Sequence, residues 1–166
     1  LLKLNRLREL LNTFKLKIMK KVIIILAVLL GSVSAKAQDL NTFFNKADAF
    51  FKANVANGKV AYASIKKDRT ALDEVLKLAE GISVSKSDAN NYQAFWINAY
   101  NLTVIKSIVD KYPTKSPLDH KGFFDGTKHS LAGKKITLND IEHKLLRANF
   151  KDARFHFVLV CGALGC

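Results

Sequence analysis

Between residues 40 and 53 the apolar positions fall at Leu40, Phe43, Phe44, Ala47, Phe50 and Phe51, the spacing of an amphipathic helix. The stretch 54–59, with Asn57-Gly58, predicts its end. A short edge at Val60, Tyr62 and Ile65 precedes a second amphipathic helix, Thr70–Glu80, carrying Leu72, Val75, Leu76 and Ala79 on one face. After a polar loop, 81–90, the chain turns apolar nearly all round from Tyr92 to Val109, which predicts a helix buried at the centre of a domain. It should stop ahead of Tyr112-Pro113, because the residue before a proline avoids helical angles.

The second half reads differently. Residues 113–135 hold Pro113, Pro117, Gly122, Gly126 and Gly133 and form a long exposed connection, with a small hairpin expected around His129–Ile136. Thr137 is placed as the N-cap of a short helix, 137–147, that turns Leu138, Ile141, Leu145 and Leu146 inward. A charged turn, 149–154, leads into the run FHFVLVC, 155–161, which predicts a strand. The resulting expectation is a single α+β domain with a helical N-terminal half, a central buried helix and a strand-rich later half. Regular βαβ alternation is absent. A chain stopping at Cys166, just after an apolar strand, is expected to be truncated within its domain.

The N-terminal end predicts export. From Met19 the order is two lysines, the apolar run Val22–Leu30 and then Ala35-Lys36-Ala37, the arrangement of a secretory signal peptide cleaved before Gln38. The apolar run is much shorter than the ~20 residues of a membrane span, so no stable membrane insertion is expected after cleavage. Residues 1–18 are then an upstream read-through, 19–37 the signal, 38–57 an N-terminal helix and 58–166 the main domain. The mature protein should be periplasmic or extracellular.

Charge changes the picture less than the total implies. The chain carries +13, but residues 38–166 hold 19 Lys+Arg against 13 Asp+Glu, a net +6. The basic residues are scattered, with no dense cluster or interleaved aromatic platform, and nucleic acid is not an expected partner.

The segments GKVAYASIKKD (58–68), AFWINAYN (94–101), LNDIEHKLLR (138–147) and ARFHFVLVCGALGC (153–166) together resemble the DUF547 family, a domain defined by sequence without a settled biochemical role. The resemblance spans about residues 58–166. It implies that the Ile-Glu-His segment of the family falls on Ile141 to His143 and its His-Phe…Cys-Gly…Cys segment on His156 to Cys166. Members typically continue with a proline and a helical part after the last cysteine. Gly165 stands where many of them have serine.

Two amides, Asn98 and Asn101, sit three apart in the apolar helix and need partners, either a loop backbone or a site. If a proline-initiated helix follows it, Cys166 lies at a helix N-terminus, where free N–H groups stabilise a thiolate. His143 or His156 would then be its base, with His129 and His120 as further candidates, and Glu142 or an asparagine would orient the imidazole. Arg154 and Arg147 are candidate carboxylate clamps. Against this, Cys161 and Cys166 can form a structural disulfide across the glycine turn, as an oxidising compartment favours. No short ligand spacing points to a metal, and no cofactor is implied. Two functions therefore stay open: a thiol-dependent hydrolase or transferase acting on peptide or cell-envelope amides, and a non-catalytic binding or structural domain with a Cys161–Cys166 bridge.

Overall fold

The computed structural model describes residues 15–21 and 39–162. The chain divides into two units, 1–38 and 39–166. In the first, residues 15–21 are helical, and most of the expected signal peptide lies outside the described residues. No described helix is long and apolar enough to cross a membrane. The second unit is one α+β domain, and every buried core residue among those described belongs to it, from Phe43 to Leu159.

Helix α1 spans residues 39–54 and buries Phe43, Ala47 and Phe50, as their spacing requires. Asn57-Gly58 does more than end it. With φ of 51° and 72°, the pair forms the tight turn of a hairpin, β1 (Val55–Ala56) against β2 (Lys59–Val60), with Val55 opposite Val60. Positive φ at both turn positions matches the twist of the flanking strands, which is why Asn-Gly favours such turns. The expected edge is therefore only two residues long, and helix α2 (Tyr62–Lys67) replaces the rest. Tyr62 and Ile65 are three apart, a helical spacing, and Ile65 is the residue that α2 buries.

Helix α3 (Thr70–Gly81) buries Leu72, Val75, Leu76 and Ala79. Its last turn is completed by a distant segment. The hairpin β3 (His129–Leu131) and β4 (Lys134–Ile136) turns at Ala132-Gly133, whose amides donate to the carbonyls of Ala79 and Glu80 at 2.8 Å. Carbonyls that a helix end leaves unpaired are thus satisfied, and the hairpin is fixed to the core. Helix α4 (Ala89–Asp110) starts earlier than its apolar pattern, because Asp88 caps it by accepting from the Asn91 amide. Twelve of its residues are buried, including Tyr92, Phe95, Trp96 and Tyr100, so the central helix is indeed the core of the domain.

Thr137 caps α5 (Leu138–Asp140), accepting from the Asp140 amide at 3.1 Å. The helix then widens to a π-helical stretch, Ile141–Arg147, closed where the side-chain Nδ2 of Asn149 donates to the carbonyls of Lys144 and Leu145. In this winding residues five apart stack, so ridge contacts differ from those of an α-helix.

Residues 155–161 do not form the expected strand. Asp152 accepts from the Arg154 amide at 2.9 Å and starts a turn that continues as α6 (Phe155–Val158), followed by irregular chain to Gly162. A strand needs a ladder to join, and both sheets here are two-stranded hairpins paired only within themselves. Among the described residues the later half is therefore not strand-rich: its strands there are the short β3 and β4.

Candidate functional site

One face of α4 borders a cavity of about 740 Å³, walled by Phe51 of α1, the β1–β2 hairpin, Tyr62 and the segment Val158–Gly162. Ile97, Asn98, Asn101, Val104 and Ile105 supply the helix side, and because Asn101 stands three or four residues from each of the others they share one stripe. The wall 158–162 is held by Asn101. Its Nδ2 donates to the Val158 carbonyl at 2.9 Å and its Oδ1 accepts from the Val160 amide at 3.1 Å, so one carboxamide brackets the backbone. Gly162 closes the wall with φ of 82°, and a Cβ there would collide with Ile108 Cδ1. Only glycine fits.

Asn98 behaves differently. Its Nδ2 donates to the Ala94 carbonyl of its own helix at 2.8 Å, and its Oδ1 has no hydrogen bond among the described residues while the side chain faces the cavity. Tyr62 and the exposed Lys59 also line the cavity, the Tyr62 hydroxyl pKa pushed up by burial. The chamber is thus mainly aliphatic and aromatic, with a few polar groups near one another. Ligand sites of several hundred Å³ commonly have this make-up.

A second constellation forms around the π-helical stretch. Arg147 Nε donates to Glu142 Oε1 at 2.8 Å, a pair five residues apart that this winding brings together. Tyr100, almost fully buried on α4, faces the same carboxylate; burial first, then Glu142, pushes its hydroxyl pKa up, and Arg147 opposes. A Glu–Arg pair at this offset gives no α-helical signal, so the sequence concealed it.

The remaining candidates are dispersed. His143 is exposed on the π-helical stretch, and His156 is exposed on α6 with its ring edge-on to Phe157 at 5.8 Å. Neither is hydrogen-bonded to Asn98, Asn101 or Glu142 among the described residues, whose side chains serve α4, the 158–160 backbone and Arg147. Arg154 is exposed and occupied by Asp152, whose carboxyl it holds down at about 2. His120 Nε2 lies 2.9 Å from Thr114 Oγ1. Cys161 is disulfide-bonded, and Cys166, the only other cysteine in the sequence, lies outside the described residues. No group of three potential metal ligands occurs among the described residues.

Comparison with known proteins adds one relationship. A family described as "Protein of unknown function, DUF547" matches residues 84–166, half of the chain, whereas no curated protein and no solved structure matches it. The matched span begins in the loop ahead of α4, later than residue 58, and it includes the two asparagines, the Glu142–Arg147 pair and the wall 158–162. Helix α1 and the β1–β2 hairpin, the facing wall of the cavity, precede it. With α4, the π-helical stretch and the final segment all inside the match, this chain belongs to the DUF547 family.

Proposed function

We propose that the domain is a non-catalytic binding module, exported behind the residues 19–37, that takes a small amphipathic molecule into the cavity beside α4. The observation that carries this reading is the chamber itself: about 740 Å³ of mostly apolar wall, with Asn98 Oδ1 free to accept a hydrogen bond from a polar head. An apolar body would gain the burial that water in the chamber forgoes. A thiol-dependent hydrolase or transferase on peptide or cell-envelope amides would instead need a cysteine thiolate beside an imidazole. Cys161 is disulfide-bonded and both His143 and His156 are exposed, so these placements lend that chemistry no support. Export rests on the leader pattern, and the core residues among those described all lie after residue 38.

The test is a titration of the full chain with a dansylated fatty alcohol, whose hydroxyl can donate to Asn98 Oδ1, read by dye fluorescence. Saturable one-to-one binding is expected, and Ile97→Trp, which fills the chamber from α4, should abolish it while leaving the circular dichroism unchanged. Absence of saturation, or equal binding by the filled variant, overturns the reading. An amidase activity lost in Cys166→Ser would restore the hydrolase. N-terminal sequencing of secreted material should begin at Gln38.

A further inference from the structure

Asn98 and Asn101 face the larger cavity from successive turns of α4, and of the two only Asn101 uses its side-chain oxygen within the fold. Asn101 shows what a carboxamide in this position grips. Its Nδ2 donates to the carbonyl that precedes Leu159, and its Oδ1 accepts from the N–H that follows it. Leu159 itself is extended, with φ of −94° and ψ of 105°. In extended chain the carbonyl before a residue and the N–H after it point the same way, so one side chain spans both.

Asn98, one turn earlier, presents the same two groups without that partner. One Nδ2 hydrogen goes to the Ala94 carbonyl at 2.8 Å, which leaves the second hydrogen and Oδ1 with no bond among the described residues. Trp96 Nε1 and Thr103 Oγ1, on the same helix, are unpaired as well, but those atoms are buried. Asn98 Oδ1 is not among the buried unpaired atoms, and its side chain lines the chamber, so a ligand can reach it. The walls beside it are apolar, with Val104, Ile105, Val158 and Val160. Among the described lining residues none is a carboxylate, and the one ammonium, Lys59, is exposed. A head group beside Asn98 is therefore best neutral, and it pairs fully only if it both donates and accepts. A second cavity, of about 210 Å³ at the end of α4, is no rival for such a molecule, because Lys106, Asp110, Lys111 and Lys128 charge its lining.

We propose that the molecule taken into the larger cavity is an N-acyl amino amide, an extended residue with an amide on either side and an apolar acyl chain. The proposal rests on the binding reading above and names the ligand class. Asn98 Nδ2 donates to the acyl carbonyl and Asn98 Oδ1 accepts from the N–H of the following amide, the pairing that Asn101 makes with residues 158–160. The acyl chain lies against the apolar walls, where its burial supplies the drive to bind. An ester in place of the second amide loses the donor and turns an oxygen towards Oδ1. A free carboxylate can only accept, so it meets Oδ1 with like charge.

The experiment displaces the dansylated fatty alcohol from the full chain with N-octanoyl-leucine methylamide, its methyl ester and the free acid. The amide is expected to compete about tenfold more tightly than the ester, which differs from it only in the N–H that Oδ1 accepts. The acid should be the weakest of the three. This comparison on the parent decides the proposal without any variant. Asn98→Leu then locates the pairing: the amide and the ester should compete equally in it. An ester as good as the amide, an acid better than both, or an amide preference that survives in Asn98→Leu overturns the proposal, while the fatty alcohol still saturates and the binding reading stands. A fatty alcohol that does not saturate sinks both.

Discussion

The two cavities flanking α4 are built on one helix and differ in almost everything else. The larger takes its helix wall from Ile97, Asn98, Asn101, Val104 and Ile105, the smaller from Lys106, Ser107, Asp110 and Lys111. At 3.6 residues per turn these stripes point roughly 140° apart. In the larger cavity the polar side chains are tied mainly to backbone: Asn101 brackets residues 158–160, and Asn98 bonds to its own helix. In the smaller, the polar side chains are charged, two cations share one carboxylate, and His129 has an orphaned nitrogen. Apolar walls with an amide oxygen, Asn98 Oδ1, left to accept favour an uncharged body, while a lysine-rich lining favours an anion. A helix buried nearly all round can therefore serve two chemistries, provided that its neighbours leave space on two sides.

The largest expected effect removes what both cavities share. Trp96 is 1 % exposed, packed edge-on against Phe95 at 5.0 Å and Tyr92 at 6.2 Å. Trp96→Ala should cost about 3–5 kcal/mol and disable both sites by loosening α4. Denaturant unfolding measures the loss. A melt unchanged from the parent would contradict the central placement of the helix.

Asn101→Ala sharpens the contrast, because it touches only the larger cavity. Loss of the bonds to Val158 and Val160 should cost about 1–3 kcal/mol. It should also speed amide exchange at Val160, with dansyl fatty alcohol binding weakened and the His129 resonances unmoved. Equal disturbance of both would show that the two walls are coupled.

A smaller effect belongs to the other cavity and appears as pH dependence. The folded pKa of His129 lies below the ordinary 6.5, so within that window the unfolded chain holds a proton that the fold does not. Stability is fully present above 6.5 and falls as pH drops through the folded value. In His129→Gln that part of the slope should vanish. Thermal melts from pH 7.5 down to pH 5 compare the two, and an equal slope in both would assign the titration to another group.

How much could be read from the chain depended on the range of the interactions involved. Helices α1 and α3 and the buried α4 followed from apolar spacing, and Thr137 and the hairpin at His129–Ile136 from local capping and turn chemistry. Where a segment was short the same reasoning misled. The run 155–161 has strand composition but no ladder to join, and Asp152 turned it into a helix. The requirement that Asn98 and Asn101 find partners was visible too, whereas which partners they found was not. Asn101 reaches a backbone 57 and 59 residues away, a separation about which local pattern says nothing.

The sequence by itself determined which helices form, which of their faces are apolar and where several of them begin, because these depend on side chains a few positions apart and on the periodicity of one helix. The tertiary structure alone decided that Glu142 meets Arg147 through a π-helical winding, that Tyr100 faces the same pair, and that two chambers of opposite character open on α4. A cavity is space that several distant segments fail to fill. Its shape and charge come from how α1, the hairpins and the final segment pack together, and no one segment encodes that packing.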